Sequence, residues 1–377
     1  MESTRYLVVG AGLAGAATAW RLAQRGLPVT LVDRDVPASA QGSSHGSARI
    51  LRFAYPELEY VRLVQAALPG WRELEAAHGA PLLIATHALD VGSRRDPRGL
   101  AAVLERAGVA HELVPQAVAA DRWPGLAPET EVLVHDGAVI DAQGTVTAMV
   151  AAAVAAGAQV HTGWPLARLE RTGGGFTAVA TDGRTLEAGH VVVAAGGWLP
   201  DLLDRLELPA GFRAAFPALQ VKQENAFHFP YRNPAGQPWP TIIHKRADIS
   251  IYSLPGGRDA GHRGQKIAEF NAGPSIGSAA RQTGVIDPAN RDRVTEYVRR
   301  YLPGLVPEPY AETTCLFTNT PGEDFVIDTA DGVTVLSPCS GHGAKFAPVL
   351  GELAADAATG AGPVPDRFRV RSVVGHA

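Results

Sequence analysis

The chain has few cysteines, no long apolar segment and no metal-ligand pattern. Cys315 and Cys339 are its two cysteines among 377 residues, and they form no Cys-x-x-Cys motif. We therefore expect neither a disulfide framework nor a zinc site. The twelve histidines are scattered without the spacing of metal ligands, so no metal is expected. No stretch approaches the ~18 apolar residues that a membrane span requires.

The charge balance excludes other classes of partner. The net charge is −4, which gives no reason to expect nucleic acid as a partner. The first residues have the pattern of a strand rather than a signal peptide, and we expect a cytoplasmic protein without membrane attachment. The length allows two domains, and the sequence leaves open whether the protein is a monomer or a small homo-oligomer.

Lysine is scarce relative to arginine. Four of the 34 basic residues are lysines, namely Lys222, Lys245, Lys266 and Lys345. Because arginine serves wherever a generic positive charge suffices, each lysine is a candidate for a role that needs a compact ammonium group. Chance retention explains any single one of them equally well.

A dinucleotide-binding motif lies at the start of the chain. An apolar strand runs into Gly10, Gly12 and Gly15, and a helix of small residues follows. Gly10 permits a tight turn, Gly12 lets the backbone approach a pyrophosphate, and Gly15 lets helix and strand pack closely. Asp33 ends the next apolar run, about 20 residues on, where its carboxylate can accept hydrogen bonds from a ribose. The motif itself does not distinguish FAD from a nicotinamide, and a glycine-rich turn without ligand is the less favoured alternative.

Helix and strand patterns alternate along the rest of the chain. Asp-Pro pairs at 96–97 and 287–288 predict helix starts, as does Asp141. Pro69 predicts a kink or break in the helix around it. Residues 82–91 predict two short strands around a turn.

These patterns predict an α/β fold with a discontinuous nucleotide domain. An apolar strand at 191–194 runs into Gly196, where backbone can again approach a dinucleotide. Residues 216–270 have the pattern of an antiparallel sheet. The predicted nucleotide domain comprises residues 1–80, 150–215 and 320–377, and the predicted substrate domain comprises residues 81–149 and 216–319.

Five segments resemble the monomeric sarcosine oxidase and N-methyltryptophan oxidase family of flavoenzymes, in the D-amino acid oxidase-like superfamily. They are GAGLAG (10–15), GSSHGSARILRFAYPE (42–57), AAGGW (194–198), TTCLFTNTPGEDFVID (313–328) and SGHGAKF (340–346). The resemblance covers nearly the whole length. It implies FAD as the cofactor, O₂ as the electron acceptor, and a glutathione-reductase-type FAD-binding domain with an inserted antiparallel β-sheet substrate domain.

The resemblance also implies cofactor contacts. Cys315 matches the cysteine that carries FAD through a thioether, and a thiolate is a suitable nucleophile for such a link. A buried core cysteine is the alternative, which we prefer for Cys339. The turn with Gly341 and Gly343 leads into a predicted helix at about residues 344–358, whose N-terminus would face the pyrimidine edge of the flavin and favour its reduced, anionic form.

Further roles come from the same resemblance. Arg52 and Lys345 match residues that bind the substrate carboxylate, and Lys345 also counts among the cofactor contacts. Arg49 and His45 match residues beside the flavin. Lys266 matches a lysine linked to oxygen activation, where a fixed positive charge would favour superoxide formation. Without the family match, Arg49 and Arg52 would be interpreted as two solvated arginines.

Two positions depart from the family pattern. Phe270 and Phe317 stand where sarcosine oxidase has a histidine and a tyrosine, whereas Tyr252 matches a pocket tyrosine. The resemblance implies a flavin-dependent oxidase of a C–N bond that gives an imine and H₂O₂, and the less polar pocket favours a secondary or cyclic amino acid, an amine carboxylate, as its substrate. A dehydrogenase or an amino-acid oxidase with non-covalent FAD is an alternative. A non-catalytic nucleotide-binding module is the alternative from another class.

Overall fold

A computed structural model describes residues 2–236 and 238–371. The strands in these residues are β1 (Ser3–Val9), β2 (Val29–Val32), β3 (Arg49–Arg52), β4 (Leu83–Val91), β5 (His111–Val114), β6 (Val132–Ile140), β7 (Gln159–His161), β8 (Leu166–Thr172), β9 (Gly175–Ala180), β10 (Thr185–Val193), β11 (Gln220–Pro230), β12 (Thr241–Lys245), β13 (Ser250–Pro255), β14 (Gly264–Glu269), β15 (Ala311–Asn319), β16 (Val326–Ala330) and β17 (Val333–Ser337). The α-helices are α1 (Leu13–Gln24), α2 (Leu58–His78), α3 (Pro97–Arg106), α4 (Gln116–Arg122), α5 (Ala142–Ala155), α6 (Leu199–Leu202), α7 (Ala210–Ala215), α8 (Pro288–Tyr301) and α9 (Ala347–Thr359).

The first sheet carries the nucleotide motif. Its strand order is β16-β17-β10-β1-β2-β7, with β9 paired to β10 and β8 to β9. Strands β7, β2, β1, β10 and β17 are parallel to one another, so their carboxyl ends share one edge. Successive residues of β1 alternate between two apolar cores: Tyr6 and Val8 pack with α1, whereas Leu7 and Val9 face the opposite core. Both faces of the sheet are therefore covered by other elements, as in other parallel sheets. The edge at the carboxyl ends of the strands stays accessible to a ligand.

The second sheet has nine strands and is almost entirely antiparallel. Its order is β15-β11-β14-β13-β12-β4-β6-β3, and β5 also pairs with β6. The β12–β4 pair is parallel. Helix α8 covers one face, where Val294 and Tyr297 pack in the same core as Phe227 and Phe229 of β11. A parallel sheet combined with an antiparallel one confirms the predicted fold class.

The two sheets draw on different parts of the chain. Strands of the first sheet come from residues 3–32, 159–193 and 326–337, and most strands of the second come from 83–140 and 220–319. Strand β3 pairs with β6 in the second sheet, although it falls within the first predicted segment of the nucleotide domain. The domain limits stay a prediction.

Two local predictions are wrong. Residues 83–91 form one continuous strand, because β4 hydrogen-bonds to β6 from Leu83 to Asp90 and leaves no room for a turn. Helix α2 is not broken by Pro69 and continues to His78, while a kink at this residue stays a prediction. Its Trp71 and Leu74 are fully buried, and this packing outweighs the ~3 kcal/mol that an internal proline costs a helix.

The predicted helix starts are confirmed by their caps. The carboxylates of Asp96, Asp141 and Asp287 accept hydrogen bonds from backbone N–H groups in the first turns of α3, α5 and α8, at 3.1, 2.8 and 2.9 Å. Such caps satisfy N–H groups that have no partner within the helix. Separately, none of the helices in the described residues is both long and apolar enough to cross a membrane.

Candidate functional site

A cavity of about 660 Å³ is lined by residues of both sheets. Its volume lies in the range of roughly 300–1,000 Å³ that small-molecule and cofactor sites occupy. Most of the residues predicted for the site line it: Gly10, Gly12, Asp33, Arg49, Arg52, Gly196, Tyr252, Lys266, Phe270, Cys315, Phe317, Gly341, Gly343 and Lys345. Gly15 and His45 are absent from the lining. The fold thus brings the predicted residues together, while their roles stay predictions.

The glycine turn at the end of β1 leaves no space for side chains. Gly10 has φ +101°, and a Cβ there would lie 2.5 Å from the carbonyl oxygen of Ala194. A Cβ on Gly15 would lie 1.8 Å from the carbonyl oxygen of Gly10. Gly15 therefore packs against the backbone of Gly10 and does not line the cavity. This close packing presents backbone of the turn to a ligand, as a pyrophosphate site requires.

Asp33 is tied to the same turn. Its carboxylate accepts hydrogen bonds from the N–H groups of Ala11, at 2.6 Å, and Asp35, at 2.8 Å. Burial raises the pKa of Asp33, and these two hydrogen bonds oppose that rise. Because each carboxylate oxygen has a second lone pair, the group can still accept a hydrogen bond from a ligand in the cavity.

A cation stands beside the thiol of Cys315. The Arg49 guanidinium lies 3.8 Å from the sulfur and donates to the carbonyl oxygens of Ser43, at 3.0 Å, and His45, at 2.8 Å. Burial by itself would raise the pKa of Cys315, but Arg49, His45 and Lys266 lower it to about 6. The thiol is therefore largely a thiolate at neutral pH. The Nε2 of His45, which contributes to this lowering of the pKa, is buried.

Lys266 is a buried ammonium group on β14. Its side chain is 5% exposed, and Nζ lies 3.4 Å from the carbonyl oxygen of Ala48. Burial and the charge of Arg49 lower the pKa of Lys266 to about 8. It is therefore mostly charged at neutral pH, with few groups to solvate that charge.

A second pair of cations, Arg52 and Lys345, meets at Tyr55. The Lys345 Nζ donates to the Tyr55 hydroxyl at 3.0 Å and to the His342 carbonyl oxygen at 2.7 Å. The Arg52 guanidinium lies 4.4 Å from the centre of the Tyr55 ring and donates to the Ala54 carbonyl. Burial and the charge of Arg52 lower the pKa of Lys345 well below its usual value. The arrangement suits an anion that both side chains could contact.

The chain around Lys345 differs from the prediction. Residues Gly343–Phe346 form a 3₁₀ turn, and the α-helix begins at Ala347 instead of near residue 344. Gly343 cannot carry a side chain here, because its Cβ would lie 1.8 Å from the Pro338 carbonyl oxygen. This crowding shapes the tight turn that precedes the helix and carries the buried Lys345 side chain.

Two phenylalanines form an apolar wall of the cavity. The rings of Phe270 and Phe317 are 5.6 Å apart and tilted by 53°. They press against the turn at Gly341, where a Cβ would come within 2.6 Å of Phe317 and 3.0 Å of Phe270. Tyr252 on β13 also lines the cavity. This part of the cavity favours an apolar group over a charged one.

Sequence reasoning missed several residues that line the cavity. They are Tyr55, Arg95, Lys245 and Glu323. Arg95 is held by an ion pair with the fully buried Asp90 at 2.5 Å, and it donates to the Ala54 carbonyl oxygen at 2.9 Å. Tyr55 lies in the 42–57 segment, and Lys245 is one of the four lysines, so both carried a signal. Arg95 carried none, because its position in the turn after β4 does not show that it lines a cavity.

The chain is similar to known proteins over most of its length. The chain matches the model of a family described as FAD dependent oxidoreductase over residues 5–357. The peroxisomal sarcosine oxidase of Mus musculus is 30% identical over 369 residues, covering 92% of this chain and 90% of that protein. The N-methyl-L-tryptophan oxidase of Yersinia pestis (strain Pestoides F) is 30% identical over 367 residues, covering 93% of each.

Solved structures share the whole fold. NikD, described as an unusual amino acid oxidase essential for nikkomycin biosynthesis, has a TM-score of 0.87 at 25% identity and covers 100% of both chains. Glycine oxidase from Geobacillus kaustophilus has a TM-score of 0.80 at 19% identity, also over 100% of both chains. At that identity the second likeness concerns the fold alone.

Proposed function

The chain belongs to the family of FAD-dependent oxidoreductases, and on that premise we propose that it oxidises the C–N bond of a secondary or cyclic amino acid to an imine. Within the family it is an enzyme of the sarcosine oxidase and N-methyltryptophan oxidase type. The observation that carries the substrate proposal is the pairing of the Arg52 and Lys345 cations with the Phe270–Phe317 wall in one cavity. O₂ is the proposed electron acceptor and H₂O₂ the second product.

The residues present fit FAD. The glycine turn, Asp33 and Gly196 would hold its nucleotide part, since they line the cavity at the carboxyl edge of the first sheet. The thiolate of Cys315 offers a nucleophile for a covalent link, and Gly341 with Gly343 would bring backbone close to the ring system. When bound, FAD supplies the two-electron acceptor for the reaction.

The proposed roles of the cations divide by position. Arg52 and Lys345 would bind the substrate carboxylate, for which the planar fork of arginine allows two parallel hydrogen bonds. Lys266 would stabilise negative charge that develops on O₂, because it is a fixed and poorly solvated positive charge. Arg49 and His45 would hold the anionic form of Cys315 and keep its sulfur oriented.

The cations also bear on the protonation of the substrate. An amine needs its lone pair to stabilise a developing iminium, so the neutral amine is the reactive form. Positive charges at Arg52 and Lys266 disfavour the protonated amine and lower its pKa in the cavity. We expect the rate of substrate oxidation to rise with pH through the pKa of the bound amine. A reductive half-reaction independent of pH would contradict this.

A peroxide-coupled screen of the FAD-loaded enzyme tests the proposal. The panel contains sarcosine, N-methylphenylalanine, pipecolate and D- and L-amino acids, each beside the matching amine that lacks the carboxylate. Arg52→Gln should reduce kcat/KM by about 10- to 100-fold for the carboxylated substrates, because it removes a charge-assisted contact, and leave the matching amines nearly unaffected. Absence of peroxide with every member of the panel would refute the proposal.

The mode of FAD attachment is tested separately. Acid precipitation leaves covalent flavin in the pellet and releases dissociable flavin to the supernatant. If Cys315 carries the flavin, the parent protein gives a yellow pellet and Cys315→Ala gives a yellow supernatant. A yellow supernatant from the parent would support non-covalent FAD. Folded protein that stays colourless even when FAD is supplied would favour a nucleotide-binding module without redox function.

A further inference from the structure

Lys245 lines the cavity beside the apolar wall. It is the last residue of β12, and its side chain lines the cavity together with that of Ile243, two residues earlier on the same face of the strand. Its Nζ lies 5.8 Å from the centre of the Phe270 ring. The wall of Phe270 and Phe317 therefore ends in a positive charge on the cavity side.

This ammonium group has no partner in the described part of the chain. The neighbouring cations do: Lys345 donates to a tyrosine hydroxyl and a carbonyl oxygen, and Arg95 is paired with Asp90. Among the acids, Glu323 has the largest effect on the pKa of Lys245 and lines the same cavity, yet no ion pair joins the two side chains. Lys245 thus differs from these other basic residues that line the cavity.

The positive charge of Lys245 would be stabilised by a bound anion. Burial lowers the pKa of Lys245, and the charges of Arg95 and Arg52 lower it further, against smaller opposing effects of Glu323 and Asp90. A half-buried ammonium group beside two guanidinium groups is unfavourable unless an anion approaches it. Arg52 and Lys345 together can already satisfy the two oxygens of one carboxylate. Glu323 offsets part of the positive charge in the cavity, but it forms no ion pair with Lys245, so Lys245 is left without a bonded anion in the described residues.

We propose that Lys245 binds a second acidic group of the substrate, so that the preferred substrate is a secondary or cyclic amino acid with a carboxylate on its side chain. The backbone carboxylate lies at Arg52 and Lys345, the apolar carbons lie along Phe270 and Phe317, and the side-chain carboxylate reaches Lys245. This inference rests on the proposed oxidase function of the same site. It makes Lys245 a specificity-determining residue.

Binding of non-oxidisable acids tests Lys245 without turnover. The FAD-loaded protein is titrated with glutarate and with butyrate, and binding is followed by the visible difference spectrum. The parent should bind glutarate about tenfold or more tightly than butyrate, as a charge-assisted contact would give. Lys245→Met should abolish this preference while butyrate binding stays within about twofold, and Lys245→Arg should retain it. Equal weakening of both acids by Lys245→Met would overturn the inference, as would a parent without preference.

Turnover provides the second arm. N-methylglutamate and N-methylglutamine have nearly the same shape and differ in the charge of the side chain. Lys245→Met should lower kcat/KM for N-methylglutamate by about tenfold and leave N-methylglutamine within about twofold. Lys222→Met is the matched control, because Lys222 is outside the cavity lining and should affect neither substrate. If the parent oxidises no member of the peroxide panel, the proposed function fails. In that case, and also if the parent oxidises only cyclic substrates, the glutarate titration still decides the role of Lys245.

Discussion

Replacing Arg49 by methionine should turn Cys315 from a thiolate into an ordinary thiol. The guanidinium is 3.8 Å from the sulfur. At an effective dielectric constant of about 20, a charge pair at this distance is stabilised by about 4 kcal/mol, which corresponds to roughly three pH units. His45 and Lys266 remain in the variant and still lower the pKa of Cys315. Because solvent in the open cavity screens part of this interaction, we expect about two of these three pH units or more, a rise of the pKa from about 6 to about 8 or higher.

Alkylation of the FAD-free protein measures this change, because the thiolate is the reactive form. The rate of iodoacetamide modification is followed by mass spectrometry from about pH 5 to 9 in a Cys339→Ala background. Burial raises the pKa of Cys339, so its removal eliminates only a slow side reaction. At pH 7 the thiolate fraction should fall from about nine-tenths to about one-tenth, which slows alkylation by nearly tenfold. Arg34→Met is the matched control, since Arg34 also lines the cavity but lies over the Trp198 ring at 4.7 Å.

Two results would refute this reasoning. One is a parent protein whose alkylation has its midpoint near the usual thiol value of about 8.5, because the cations would then have no net effect on Cys315. The other is an Arg49→Met protein with the same midpoint as the parent, because the Coulomb interaction would then be unimportant. Arg49→Lys keeps the charge and should give a midpoint between those of the parent and Arg49→Met.

Three further predictions concern oxygen, stability and the glycine turn. Lys266→Met should slow reoxidation by O₂ about 10²- to 10³-fold in stopped-flow experiments, and an unchanged rate constant in this variant would rule the role out. In the parent, the reoxidation rate should fall as the pH rises above about 8, where Lys266 loses its proton. Asp90→Asn should lower the urea-measured free energy of unfolding by about 3–5 kcal/mol, because it leaves a buried guanidinium uncompensated; a loss below about 1 kcal/mol would contradict this. Gly15→Ala should abolish FAD binding, because its Cβ would lie 1.8 Å from the Gly10 carbonyl oxygen, whereas Gly211→Ala has no atom within 4 Å and should bind FAD normally; equal binding by both variants would count against the argument.

The family and the fold class were predictable because their signals are local or belong to whole segments. The glycine turn, the aspartate caps and the five motif segments are each contiguous in sequence, and the matches to FAD-dependent oxidoreductases and to sarcosine oxidase confirm the resemblance. The wrong predictions concern elements whose structure depends on contacts with residues distant in sequence, which a short sequence segment does not contain. The strand over 83–91 depends on its pairing with β6, and the helix around Pro69 depends on the burial of Trp71.

From the sequence alone, the candidate binding and catalytic residues could be identified: the motif glycines, the scarce lysines, Arg49, Arg52 and Cys315. The tertiary structure alone decided how these groups act on one another. Arg49 lowers the pKa of Cys315 because β3 and β15 approach from opposite ends of the chain. Within the described residues Lys245 has no partner, whereas Arg95, which lines the same cavity, is paired with Asp90. Charge, burial and distance are properties of the assembled cavity, since electrostatic interactions depend on separation in space and not on separation along the chain.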